Sequence, residues 1–119
     1  MTSTSKHYSS NKKVPVFSGD ALRFEWWKDN IYHYINGIDD ELWDLIEEGV
    51  SIDGIGLDGK ITLAQKRALS TANKKIFSKH NKVKNIMMSA ISHDEYTKIM
   101  DRSTAKAMYD SLCATNIFY

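Results

Sequence analysis

The chain has 119 residues, 42% hydrophobic and 26% charged, with a net charge of +1. That is one domain's worth of chain, enough to bury a core without staples, and Cys113, the only cysteine, excludes an intrachain disulfide and a cysteine-based zinc site. No apolar run approaches the ~18–20 residues that span a bilayer, and a near-neutral charge points neither to a dedicated nucleic-acid binder nor to an acidic protein.

Residues 1–13 are rich in Ser, Thr and Lys and lack periodicity, so a disordered arm is expected there. The start "MTSTSKHYSSNKKVPVF" has no apolar stretch of the kind a signal peptide needs; a reducing, cytoplasmic setting is the natural expectation. Pro15 and Gly19 mark the beginning of the folded part, residues 14–116. "FEWWKDNIYHYI", residues 24–35, is dense in aromatic rings. Apolar positions at 24, 27, 31, 34 and 38 alternate spacings of three and four, which lines one face of a helix. Phe24, Trp27, Ile31 and Tyr34 are thereby read as core. Trp26 lies about 100° around the helix from Trp27, and Tyr32 is also off the stripe, so these two rings are the candidates for a contact surface. Asn36-Gly37 is expected to end the helix.

Asp39 and Asp40 open a second, short helix carrying Leu42, Trp43, Leu45 and Ile46, with carboxylates suited to its N-terminal dipole. Gly49 closes it. "VSIDGIGLDGKI" then reads as a loop. Thr62 with Gln65 matches a capping box. It opens the longest periodic stretch, with Leu69, Ala72, Ile76, Val83, Ile86, Met87 and Ala90, read as one long helix or as two broken near Ser78–Asn81. Ser92 with Glu95 is a second capping box before Tyr96, Ile99 and Met100. Ser103 or Thr104 starts a last helix with Ala105, Met108, Tyr109 and Leu112. No segment alternates with period two for long enough to make a strand. The fold class expected is all-α, a compact bundle of five or six helices with a long central helix or helix pair at 62–91.

Charge is segregated along this framework. Residues 39–58 hold Asp39, Asp40, Glu41, Asp44, Glu47, Glu48, Asp53 and Asp58 with no Lys or Arg; residues 60–84 hold Lys60, Lys66, Arg67, Lys74, Lys75, Lys79, Lys82 and Lys84 with no Asp or Glu. A block of −8 is thus followed by one of +8. Lys75, Lys79 and Lys82 share one helix face, with Lys74 adjacent and His80 nearby, and Lys84 follows. These five lysines are the candidates for contact with a phosphate backbone. A solvated helix face explains the same pattern, and so does pairing with the acidic block, within one molecule or head to tail between neighbours.

Motifs for other chemistry are weak. "GIGLDG" at 54–59 is formally G-x-G-x-x-G, but it has no preceding strand and no acidic residue about twenty positions on. Ile55 and Leu57 occupy positions where an EF-hand needs oxygen ligands. His7, His33, His80 and His93 have no metal-site spacing, and His33, between two tyrosines, reads as a surface or boundary imidazole. Asp39-Asp40-Glu41 is explained by helix capping with less machinery than a magnesium site requires. No local signature supports catalysis, a cofactor or a small-molecule substrate. An enzyme would need a deep pocket of convergent polar groups.

Several of these features occur together in one family. Pro15, Phe17, Gly19, Phe24, Trp27-Lys28, Leu42-Trp43-Asp44 and Glu48-Gly49, followed by "STAKAMYDSL" at Ser103–Leu112, resemble the start of the gag polypeptide of copia-type LTR retrotransposons, especially the plant versions. The resemblance covers about residues 14–116. It implies a mostly helical capsid-like domain that associates with other copies of itself into cytoplasmic virus-like particles enclosing the element's RNA. Family members usually continue past the final Leu with Tyr-Glu-Gly and further helices, and carry a Cys-x2-Cys-x4-His-x4-Cys knuckle that contacts RNA. Here the sequence runs to "NIFY" without the knuckle, so an incomplete, C-terminally truncated copy is expected. The function expected is a non-enzymatic structural module acting through self-association; the alternative is a nucleic-acid-binding helical domain using the basic stripe at 60–84.

Overall fold

The bundle is built by amphipathic helices whose ends are set by side-chain caps. The computed structural model describes residues 13–50, 52 and 61–116. Among them are a single 3-10 turn, Ala21–Arg23, and six α-helices: α1 (Phe24–Ile38), α2 (Asp40–Glu48), α3 (Leu63–Ala68), α4 (Thr71–Ser89), α5 (His93–Lys98) and α6 (Ala105–Thr115). No strand occurs among the described residues; Phe17 and Ile91 form an isolated parallel bridge. The fold is all-α. The expected arm at 1–13, apart from Lys13, and the glycine-rich stretch at 54–59 lie outside the described residues.

α1 buries Phe24, Trp27, Ile31 and Ile35, while Tyr34 and Ile38 pack against the core half-buried. The expected stripe is therefore right for two turns, from Phe24 to Ile31, and then shifts by one residue. At 3.6 residues per turn, Ile35 returns to the line of Phe24 and Ile31, and Tyr34 falls at its edge. The helix does not end at Asn36-Gly37. It runs through Gly37 to Ile38, because the chain never enters the left-handed conformation there. Asp39 makes the turn instead. Its extended backbone donates its N–H to Ile35 O at 3.0 Å and its carboxylate accepts from Glu41 N–H at 2.9 Å, so one residue both closes α1 and caps α2.

α2 buries Leu42, Trp43 and Ile46 and stops at Gly49, whose φ of 81° is one glycine tolerates readily. It packs against α1, α4 and α6, and α4 also packs against α6. The long central stretch is a helix pair, but its break lies at Leu69–Ser70 and not at Ser78–Asn81, through which the 19-residue α4 runs unbroken. Leu69 is extended and buried, and the Ser70 hydroxyl accepts from Asn73 N–H at 3.1 Å to start α4. α4 buries His80, Val83 and Met87.

The segment before α1 is strapped across the bundle. Phe17 N–H donates to Ala90 O at 2.8 Å, Ser92 N–H donates to Phe17 O at 2.9 Å, and the Trp27 indole donates to Pro15 O at 3.1 Å. Phe17 thereby drops into the core against Phe24 and Trp27, with ring centroids 5.2 and 5.7 Å away.

Candidate functional site

A chain of aromatic rings leads from the core to the surface. Trp27 lies 6.4 Å from Tyr109, Tyr109 5.4 Å from Trp43, and Trp43 5.0 Å from Tyr32, the last two pairs edge to face. Tyr32 is 42% exposed and Trp26, on the outer side of α1, is 60% exposed. Both rings flagged by helical geometry are therefore at the surface. They border an open groove of about 490 Å³ whose other lining includes Trp43, Tyr109, Glu25, Asp29 and Glu47. Lys28, which also lines it, is 3.6 Å from Glu25. Three carboxylates against one ammonium make this an acidic, aromatic face.

Tyr109 in the groove wall and Cys113 beside it are poor nucleophiles. Burial, followed by the neighbouring Cys113, pushes the Tyr109 phenol well above its ordinary range. Burial likewise raises the Cys113 thiol. Both therefore stay protonated near neutral pH and act in packing. The Trp43 indole donates to Glu47, which fixes that carboxylate at the groove's edge.

The five candidate lysines on α4 divide. Lys79 is taken by the acidic block: its ammonium lies 3.0 Å from Asp39 and also bonds Glu41. The hydrogen bond from Lys79, with that from Glu41 N–H, holds the Asp39 carboxyl below its ordinary range. Lys84 donates to Ser103 O at 3.1 Å, tying α4 to the approach to α6. Lys74, Lys75 and Lys82 are exposed and in no ion pair among the described residues. Part of the opposite-sign pattern is thus closed within one molecule, and part remains on the surface.

Two features had little or no sequence signal. Lys66, Lys74, Phe77, Ser78 and Asn81 enclose a cleft of about 230 Å³ where α3 meets α4. It depends on the α3–α4 turn, which no glycine or proline announces. His80 is buried, and its Nε2 accepts from Ala105 N–H at 3.3 Å, beside the Thr104 hydroxyl that accepts from Ala107 N–H at 3.0 Å. Burial, then the nearby Lys84, lowers its pKa, so the imidazole is held neutral as an acceptor. His33, by contrast, is exposed, with Nδ1 2.8 Å from Asp29 O.

Among the described residues no helix is long and apolar enough to cross a membrane, and no three His, Cys, Asp or Glu side chains converge as metal ligands. Comparison with protein-family models, curated proteins and solved structures finds no match to this chain.

Proposed function

We propose that the chain is a non-enzymatic structural module acting through association with other copies of itself, as its gag-like sequence features imply. The observation that carries this reading is the exposure of Trp26 and Tyr32 beside an acidic groove, although the neighbouring Trp27 and Ile31 are buried. Trp and Tyr concentrate at the centres of interfaces, where they supply large contact area at low entropic cost. Lys74, Lys75 and Lys82, exposed and in no ion pair among the described residues, add a surface of opposite sign, which favours contact between copies and orients it. In the family this association builds cytoplasmic particles around RNA, and the same role is proposed here. Sedimentation velocity at low and high salt tests it. A concentration-dependent increase in sedimentation that weakens with salt is expected; a strict monomer throughout overturns it.

A second reading rests on Lys74, Lys75 and Lys82, whose ammonium groups are available for RNA phosphates. It predicts a shallow salt slope, about −0.7 per phosphate neutralised on a single strand. RNA titration at two ionic strengths with the Lys→Gln triple variant checks it, and an unchanged affinity sinks it.

A further inference from the structure

α3 is an anomaly in the bundle. None of its six residues is buried, and Leu63 is 60% exposed. A helix this short does not hold itself together in water. Its one buried anchor is the following residue, Leu69. Between α3 and α4 it leaves the cleft of about 230 Å³, walled by half-buried Phe77 and rimmed by Lys66 and Lys74.

We propose that this cleft receives Trp26 of a second copy of the same chain, joining copies head to tail. The inference rests on the self-association reading and names the two faces that meet. Three observations carry it. The first is size: a cavity of about 150 Å³ holds one benzene ring, so 230 Å³ suits the larger indole. The second is charge. Glu25 and Asp29 flank Trp26 on α1, and Lys66 and Lys74 flank the cleft, so seating the ring brings two carboxylates to two ammonium groups. The exposed pairs these carboxylates now make, with Lys28 at 3.6 Å and His33 at 3.8 Å, are weak and exchangeable. The third is cover, because a docked neighbour provides α3 with the packing that its own bundle does not.

The two linings share no residue. A molecule can therefore offer its Trp26 to one neighbour while its cleft accepts another's. Such a contact is heterologous and propagates into rings or open arrays.

Two variants at exposed positions separate the faces, with circular dichroism confirming that each keeps its helices. Trp26→Ala removes the knob and leaves the cleft; Lys66→Glu with Lys74→Glu spoils the cleft and leaves the knob. By sedimentation velocity at low salt, each alone is expected to associate at least about tenfold more weakly than the unaltered chain. Mixed in equal amounts, they retain one intact junction and form a 1:1 dimer that grows no further. If the unaltered chain associates and either variant associates equally well, or the mixture stays monomeric, the proposed junction is wrong while self-association stands. If the unaltered chain is itself monomeric, both fall.

Discussion

α3 and α5 are both six residues long, and both begin at a Ser or Thr followed three residues later by Gln or Glu. At α3 the reciprocal cap is complete: Gln65 N–H donates to Thr62 Oγ1 at 3.1 Å, and Thr62 N–H donates to Gln65 Oε1 at 2.8 Å. At α5 only half of it forms. Ser92 Oγ accepts from Glu95 N–H at 3.3 Å, while the Glu95 carboxylate turns to Lys98 at 2.6 Å. Yet α5 is the helix embedded in the fold, with Glu95 buried, Ile91 and Ile99 in the core, and the Phe17 strap hydrogen-bonded at its start. A cap decides where a helix begins; burial decides whether the rest of the molecule depends on it.

That contrast can be broken most forcefully at the strap. Phe17→Ala empties a core site shared with Phe24 and Trp27 and should cost about 3–5 kcal/mol, a large share of the ~5–15 kcal/mol that stabilises a typical domain; chemical denaturation reads it. Second comes α6, whose first N–H is capped from a distance by His80. His80→Ala should cost about 2–3 kcal/mol by opening a cavity and orphaning the Ala105 N–H.

The same histidine gives a pH dependence. Its folded pKa lies below the ordinary 6.5, so the unfolded chain takes up the proton first. Its contribution is fully present above about pH 6.5 and is lost as pH falls from there through the lower folded pKa, at up to about 1.4 kcal/mol per pH unit. Denaturation midpoints at pH 7 and pH 5 should converge between the unaltered chain and His80→Gln as the pH drops.

Next is Gly19, with a φ of 102° and an added Cβ only 2.7 Å from a Glu95 oxygen. Gly19→Ala should lose about 1–3 kcal/mol through backbone strain and displacement of the Glu95 carboxylate. The smallest effect is expected at α3. Thr62→Ala removes a cap worth about 1 kcal/mol to the helix, but α3 buries nothing within its own molecule. Its amides should exchange faster while the midpoint of global unfolding barely moves. A global loss as large as that of Ser92→Ala would show α3 to be integrated after all.

Periodicity and capping made most of this fold readable from sequence. The apolar faces of α1 and α2 and the starts at Asp39, Thr62, Ser92 and Thr104 all follow local chemistry. Two boundaries did not. Gly37 stays helical because Asp39 alone satisfies both adjoining ends, and the α3–α4 turn is set by burial of Leu69, which carries no turn signature. For the surface, the 100° step from Trp27 was enough to place Trp26 outside. The sign of the charge blocks was legible, but not their pairing. Lys79 finds Asp39 and Glu41 only once α2 lies against α4, and His80 meets Ala105 across a sequence separation of 25 residues.

The parallel bridge between Phe17 and Ile91 also sets a schedule for synthesis. Its partners are 91 − 17 = 74 residues apart, so the strap cannot close until the end of α4 has left the ribosome. At ~5–20 residues per second that is a wait of roughly 4–15 s. Throughout it Phe24, Trp27 and the ring of Phe17 are without their final cover. Trp27 waits longer still, for Tyr109 of α6, so a nascent chain of this protein keeps an adhesive aromatic cluster uncovered until α6 emerges, and slowing translation before that point would lengthen its exposure to chaperones and to other nascent copies.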